Sequence, residues 1–269
     1  MQSERVGLIE LGMFLCLSAL LLPLLFRFRL FSLQKQDGGG EVLSLRSVLL
    51  VFAIYIFGSF FLAPAFYKLE LWLQLSFEKG AFLPFAQLIS MIIVSVIVII
   101  FSVLHQQRTL IWGQKPRFWK GVLIGLACYP IVMLVVNVMV SFLTYFGCER
   151  GDQKAIVMLK SLEPYPWLFW SFSIAVFTIV PILEEILFRG FLQNYLKKFG
   201  MRAGIILTSC LFAAFHYSAS QKASNIELIV GLFLFSYFLG IIYCKQRSLW
   251  APIGMHMILN FLSLLGTFV

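Results

Sequence analysis

The chain has 269 residues, of which 61% are hydrophobic and only 12% charged, and its mean hydropathy is +0.93. Soluble domains average about 45–50% apolar and about 25% charged residues, so no soluble fold of this length has the interior to hide so much apolar surface. The net charge of +9 would suggest nucleic acid in a soluble protein; here the basic residues gather between apolar runs, as anionic headgroups favour, and nucleic-acid binding is not expected.

Backbone groups in lipid must be satisfied within the structure, which leaves helix bundles or closed barrels. Unbroken apolar runs such as 88–104 and 121–146 are too long for barrel strands. The chain therefore reads as an all-α polytopic membrane protein. With about 20 apolar residues per crossing, eight spans are expected, near 8–26, 43–62, 83–104, 121–146, 167–188, 203–218, 226–243 and 249–268. The first run carries Glu10, has a single Arg before it and ends among Arg27 and Arg29, so it reads as a span rather than a cleaved signal peptide. Gly38, Gly39 and Gly40 mark a loop tip. The fifth span carries Pro181, an expected kink, and should continue as helix through Gly190 towards Leu196. The sixth is short.

The polar connection over 147–166 divides the chain into 1–160, about four spans, and 161–269, about four spans that hold the intramembrane ionisable residues. Connections after spans one, three, five and seven hold 14 Lys and Arg against 7 in the N-terminal tail and the remaining connections. This bias puts the first set in the cytoplasm and both termini outside, and the compact chain suggests a bacterial plasma membrane. Trp112, Trp119 and Trp250 sit where interfacial anchors belong. The five cysteines show no metal-ligand spacing and read as small packing residues.

An ionisable residue inside a span costs about 2.5–3.5 kcal/mol on insertion scales and is a functional candidate by default. Span five holds Glu184 and Glu185 with Arg189 one turn on; span six ends in His216; span eight holds His256 and Asn260. Glu185 and Arg189 are i and i+4, share a face and can pair. Glu184 lies about 100° around the helix and is left to face a cavity. His256 and Asn260, and Phe212 and His216, repeat the i, i+4 spacing. Counted at about 1.5 Å per residue, the polar groups of the three spans reach a similar depth. His105, beside Gln106, Gln107 and Arg108, reads as interfacial.

Three segments together resemble the CPBP intramembrane protease family, which includes the type II CAAX prenyl endopeptidases and bacterial Abi-type proteins. Its EExxxR motif appears as Glu184-Glu185-Ile186-Leu187-Phe188-Arg189, followed by Gly190-Phe191-Leu192. FxxxH appears as Phe212-Ala213-Ala214-Phe215-His216, and HxxxN as His256-Met257-Ile258-Leu259-Asn260 after Leu249-Trp250-Ala251-Pro252. Each motif alone is weak; the signal lies in all three, in order, on apolar spans. The resemblance covers about 165–265. It implies an intramembrane endopeptidase, with its site inside the helix bundle, that hydrolyses peptide bonds of membrane-associated or prenylated proteins or peptides. Glu184 would be the general base and His216 would help hold the water. His256 and Asn260 would stabilise the oxyanion, and Glu185 with Arg189 would brace the site. Membrane lipid and a peptide or lipidated-protein substrate are the implied partners.

One Glu and two His also match the ligand set of some catalytic zinc sites. If zinc were used, Glu184, His216 and His256 would hold it, but HExxH is absent and another base would be needed, so metal-free catalysis is favoured. The competing readings are a non-catalytic membrane scaffold or bacteriocin-immunity protein of the same fold, and a proton-coupled transporter using Glu184 and His216 as a relay. An inactive homologue would be expected to lose Glu184 or a histidine, and matched broken helices of a transporter are not visible.

Overall fold

The computed structural model describes residues 12, 15–23, 41–73, 80–113, 118–148, 154–221 and 223–265. The expected loop tip at Gly38–Gly40, residues 8–11, 13, 14 and 24–26 of the first span and residues 266–268 of the eighth lie outside them. Within them, residues 15–23 are helical and lead to α1 (Leu45–Leu73), α2 (Phe82–Leu104), the short α3 (Arg108–Trp112), α4 (Phe118–Tyr145) and α5 (Lys154–Ser161). Then come α6 (Pro166–Glu185), α7 (Met201–Phe215), α8 (Ser224–Gln246) and α9 (Trp250–Leu265). No strand is present among the described residues, as the need to pair every backbone group in lipid requires.

Five helical segments are long and apolar enough to cross a membrane: Leu45–Trp72, Phe82–Leu104, Phe118–Tyr145, Pro166–Phe199 and Ser224–Gln246. The protein is an integral membrane protein. Spans six and eight of the sequence reading appear as the shorter apolar helices Met201–Phe215 and Trp250–Leu265. Two short helices, α3 and α5, had no counterpart in the hydropathy pattern, because five and eight residues are too few to show a period against apolar neighbours.

The segment after α6 does extend as helix, but in a form the periodicity does not reveal. Ile186–Gln193 is a π-helix, which relaxes to α and 3-10 turns before Gly200. Stretches of π-helix are rare and collect at functional sites. Every residue of this one is buried. Its apolar side chains Ile186, Leu187, Phe188 and Phe191 pack with Val48 and Val51 of α1, Val94 and Val98 of α2 and Ile111 of α3. A second core joins Cys128, Val132 and Val136 of α4 to Phe235 and Leu239 of α8 and to Ala251 and Met255 of α9.

Close backbone approach, rather than bulk, sets the α4–α9 contact. A Cβ on Gly125 would lie 2.3 Å from the Ala251 carbonyl oxygen, and one on Gly254 would lie 2.9 Å from Val122 Cα. Membrane helices lack a hydrophobic drive towards one another and use small residues in this way. The contact between the π-helix and α8 is held by polar rungs instead. Arg189 Nη2 donates to Ser236 O at 3.0 Å, and Gln193 Nε2 donates to Gly240 O at 3.1 Å; both pairs are 47 residues apart in sequence, so the two helices run parallel in register. Asn194 Nδ2 reaches both Leu110 O (2.7 Å) and Tyr243 Oη (2.6 Å), and Tyr243 donates in turn to Leu110 O (2.6 Å). Gly113 and Ser248 form a β-bridge. These contacts bring the connections after α2, α6 and α8, the lysine- and arginine-rich set, to one end of the bundle.

Candidate active site

The site begins with the paired carboxylates where α6 passes into the π-helix. Glu185 and Arg189 are fully buried and form an ion pair, Nε to Oε2 at 3.2 Å and Nη1 to Oε1 at 3.2 Å. The Nε–Oε2 approach is close enough for charge attraction but lacks hydrogen-bond alignment. Arg189 is held further by Ser236, whose backbone oxygen and Oγ accept from Nη2 at 3.0 and 2.7 Å, and its guanidinium stacks 4.8 Å above the Phe212 ring. A buried charge needs this density of partners, since desolvation otherwise costs several kcal/mol per ion, on the order of the attraction gained.

Glu185 has a second partner. His256 Nδ1 lies 2.9 Å from Glu185 Oε1; a carboxylate only accepts, so the imidazole donates there. That bond fixes the ring and turns its Nε2 towards Glu184, 3.7 Å from Oε2. On the opposite side, His216 Nε2 lies 3.9 Å from Glu184 Oε1. His216 caps the C-terminal end of α7, where carbonyls lack helical partners, and its Nδ1 donates to Phe212 O at 2.8 Å. Both imidazoles therefore have one nitrogen tied to the framework and one aimed at the same carboxylate. Separations of 3.7 and 3.9 Å are too long for direct hydrogen bonds and suit groups bridged by water.

The three groups lie around a cavity of about 250 Å³ inside the bundle. Glu184 is 15% exposed, His216 23% and His256 5%, so the first two meet the cavity and His256 lies at its back. Val176 and Val180 of α6, Phe188, Phe215, and Leu228 and Leu232 of α8 make the wall mostly apolar; Ala155 and Ile156 of α5 and Tyr55 of α1 complete it. Asn260 also lines it, and its Nδ2 donates to Val176 O at 2.8 Å. One amide hydrogen of Asn260 thus ties α9 to α6, leaving the other for the cavity.

All six residues singled out from the sequence come to this place. The pairing of Glu185 with Arg189 and the separate exposure of Glu184 follow from the 100° step between adjacent helical residues. Four contributors were missed. Phe212 served only as the first letter of a weak motif, yet it is the platform under Arg189 and the carbonyl partner of His216. Ser236 is one serine in an apolar helix, where its own helix can satisfy its hydroxyl, so its sequence context carries no signal. Asn225 brackets the turn after His216, accepting from Ser218 N (3.0 Å) and donating to Ser218 O (2.7 Å); a buried Asn near a helix start was a detectable hint. Tyr55 lies far away in sequence.

Among the described residues no group of three or more His, Cys, Asp or Glu has a metal-holding arrangement. Tetrahedral zinc with bonds near 2.0–2.1 Å would need its donor atoms roughly 3.3 Å apart, so Glu184, His216 and His256 would have to draw in from 3.7 and 3.9 Å. His105, the third histidine, lies apart at the end of α2, with Nδ1 accepting from Gln107 N (3.1 Å) and Nε2 bonded to Ser47 Oγ (3.0 Å). The five cysteines are all free.

No curated protein and no solved structure matches the chain. Residues 166–262, which contain Glu184, Glu185, Arg189, His216, His256 and Asn260, match the model of the Rce1-like type II CAAX prenyl endopeptidase family, so the likeness carried by the three motifs is to this protease family.

Proposed function

We propose that the chain is an intramembrane endopeptidase of CAAX type in which Glu184 activates water. The observation that supports this most directly is the division of labour between adjacent glutamates. Glu185 is fully committed to Arg189 and His256, whereas Glu184 faces the cavity between two imidazole nitrogens. Glu184 takes a proton from water as the water oxygen bonds to the scissile carbonyl carbon. His216 Nε2, its partner nitrogen having spent its hydrogen on Phe212 O, accepts the water's other hydrogen and orients it. His256, held by Glu185 through Nδ1, and the free amide hydrogen of Asn260 donate to the oxyanion. When the C–N bond breaks, Glu184 returns the proton to the leaving nitrogen. A positioned base is worth on the order of 10²–10⁴ in rate, and one oxyanion donor on the order of 10²–10³.

The apolar wall suits lipid-associated chains, so the substrates proposed are membrane-associated or prenylated proteins and peptides. The basic end of the bundle supports placing that end in the cytoplasm, with a bacterial plasma membrane as the proposed location. No metal is invoked. The test is detergent-purified protein against fluorogenic membrane and farnesylated peptides, comparing wild type, Glu184→Ala and Glu184→Gln, with and without a strong chelator. The expected result is cleavage by wild type, none by either folded variant, and no effect of chelator. Loss with chelator and recovery with zinc would move Glu184, His216 and His256 to metal ligation. Cleavage by the variants would remove Glu184 from its role. Silence from a folded wild type across the whole panel would favour a scaffold or immunity protein of the same fold.

A further inference from the structure

We infer that Tyr55 of α1 is a further catalytic residue, its phenolic O–H donating to the scissile carbonyl oxygen as that oxygen becomes an oxyanion. The inference rests on the peptidase reading above, and it places part of the machinery in the N-terminal half, outside the segment 166–262 that matches the protease family.

Tyr55 lines the same cavity as Glu184, His216 and His256 and lies close enough to Glu184 to interact with its charge. No hydrogen bond from its hydroxyl to any described residue is found, and the oxygen is not sealed from the cavity. A tyrosine inside a protein normally gives its O–H a partner, so a ring held in a bundle, its hydroxyl without a partner among the described residues and its cavity shared with Glu184 and the two histidines, points to a partner that arrives with the substrate.

Its placement is rigid. One turn earlier on α1, Phe52 packs edge-on against Phe188 at 5.6 Å and Phe215 at 5.9 Å, both cavity-wall residues. Three residues later, a Cβ on Gly58 would lie 2.3 Å from Val94 Cγ2, so α1 is seated tightly on α2. The donors already at the site are His256 Nε2 and one amide hydrogen of Asn260, and Tyr55 adds to this short supply. Both histidine Nδ1 atoms are spent on the framework, and Asn260 has given one of its two amide hydrogens to Val176.

The step balances without proton loss from Tyr55. The water oxygen bonds to the carbonyl carbon, its proton goes to Glu184, and the carbonyl π electrons move to oxygen, which Tyr55 meets with a hydrogen bond. When the C–N bond breaks, that electron pair returns to the carbonyl and the proton on Glu184 passes to nitrogen.

The experiment compares wild type, Tyr55→Phe, Phe52→Leu and Glu184→Gln in detergent, using a fluorogenic peptide with an S-farnesylated CAAX-type C-terminus. Removing the hydroxyl should lower kcat on the order of 100-fold, with KM little changed. The acid limb of the pH–rate profile should stay in place, because Glu184 is untouched. Phe52→Leu loosens the same helix face with the hydroxyl present and sets the loss due to packing alone, which should be about tenfold or less. A Tyr55→Phe loss no larger than that of Phe52→Leu, a change confined to KM, or a displaced acid limb would each overturn the role. Cleavage by Glu184→Gln, or none by wild type, would instead show that the underlying peptidase reading has failed, and this role with it.

Discussion

The α6–π segment and α1 are both long apolar helices, yet they meet their surroundings in opposite ways. In the most apolar stretch of Pro166–Phe199, 56% of residues are buried within the protein, against 17% for Leu45–Trp72. The first can carry Glu184, Glu185 and Arg189 because other helices surround it and supply Ser236, His256 and the Phe212 ring. The second presents Phe57, Phe60 and Phe61 outward and commits only the face around Val48, Val51, Phe52 and Tyr55 to the bundle. Hydropathy alone does not separate the two; the placement of charge does. Ionisable groups mark the helix that others enclose, because lipid would not tolerate them elsewhere.

The sharpest test of that contrast is activity. Glu184→Gln should reduce peptide cleavage on the order of 10²–10⁴-fold without lowering the unfolding temperature, whereas Phe60→Leu on α1 should leave both unchanged. Stability comes next. Arg189→Met strands Glu185 in the interior and should cost about 3–5 kcal/mol, read from thermal unfolding in detergent; adding Glu185→Gln to it should recover part of the loss. If Arg189→Met unfolds like wild type, the buried pair is not what holds the segment. A smaller effect belongs to the α4–α9 contact: Gly254→Val should destabilise by about 1–3 kcal/mol through overpacking, while Phe57→Leu, facing outward, should stay within about 0.5 kcal/mol.

The smallest expected effect lies at His105, outside the spans. Burial lowers its pKa from the ordinary value of 6.5, and its Nδ1 is occupied as an acceptor from Gln107 N. The folded state therefore prefers the neutral ring. The stability this contributes is present above the ordinary histidine range and lost as pH falls through it. Wild type should lose unfolding temperature slightly between pH 7 and 5, and His105→Asn should flatten that part of the profile. An unchanged slope in the variant would assign the acid sensitivity to other groups.

Much of this is legible in the sequence. The all-α membrane class follows from composition, and the Glu185–Arg189 pair with Glu184 set apart follows from helical geometry. The convergence of His216, His256 and Asn260 could be argued from depth and from the family likeness. What stayed hidden has physical reasons. The π-helix leaves no mark in hydrophobic periodicity because all eight of its residues are buried and no polar face shows its turn. The shorter helices α3 and α5 lack the length for a period. Ser236 and Phe212 act through a backbone oxygen, a hydroxyl and a ring face, which depend on which helix lies alongside. The partition of Asn260 between α6 and the cavity is likewise a matter of neighbours.

The two rungs between the π-helix and α8 carry a consequence for how such a chain can diverge. Arg189–Ser236 and Gln193–Gly240 share one offset, so they act as a ruler laid between two stretches of chain. Exchanging residues leaves the ruler intact, provided a donor still meets an acceptor. Adding or removing a single residue between 189 and 193, or between 236 and 240, puts at least one rung out of step and turns the remaining side chains away from their partners. Drift in this part of the molecule should therefore change letters and preserve their count, and length variation should be confined to segments beyond the ruler's reach.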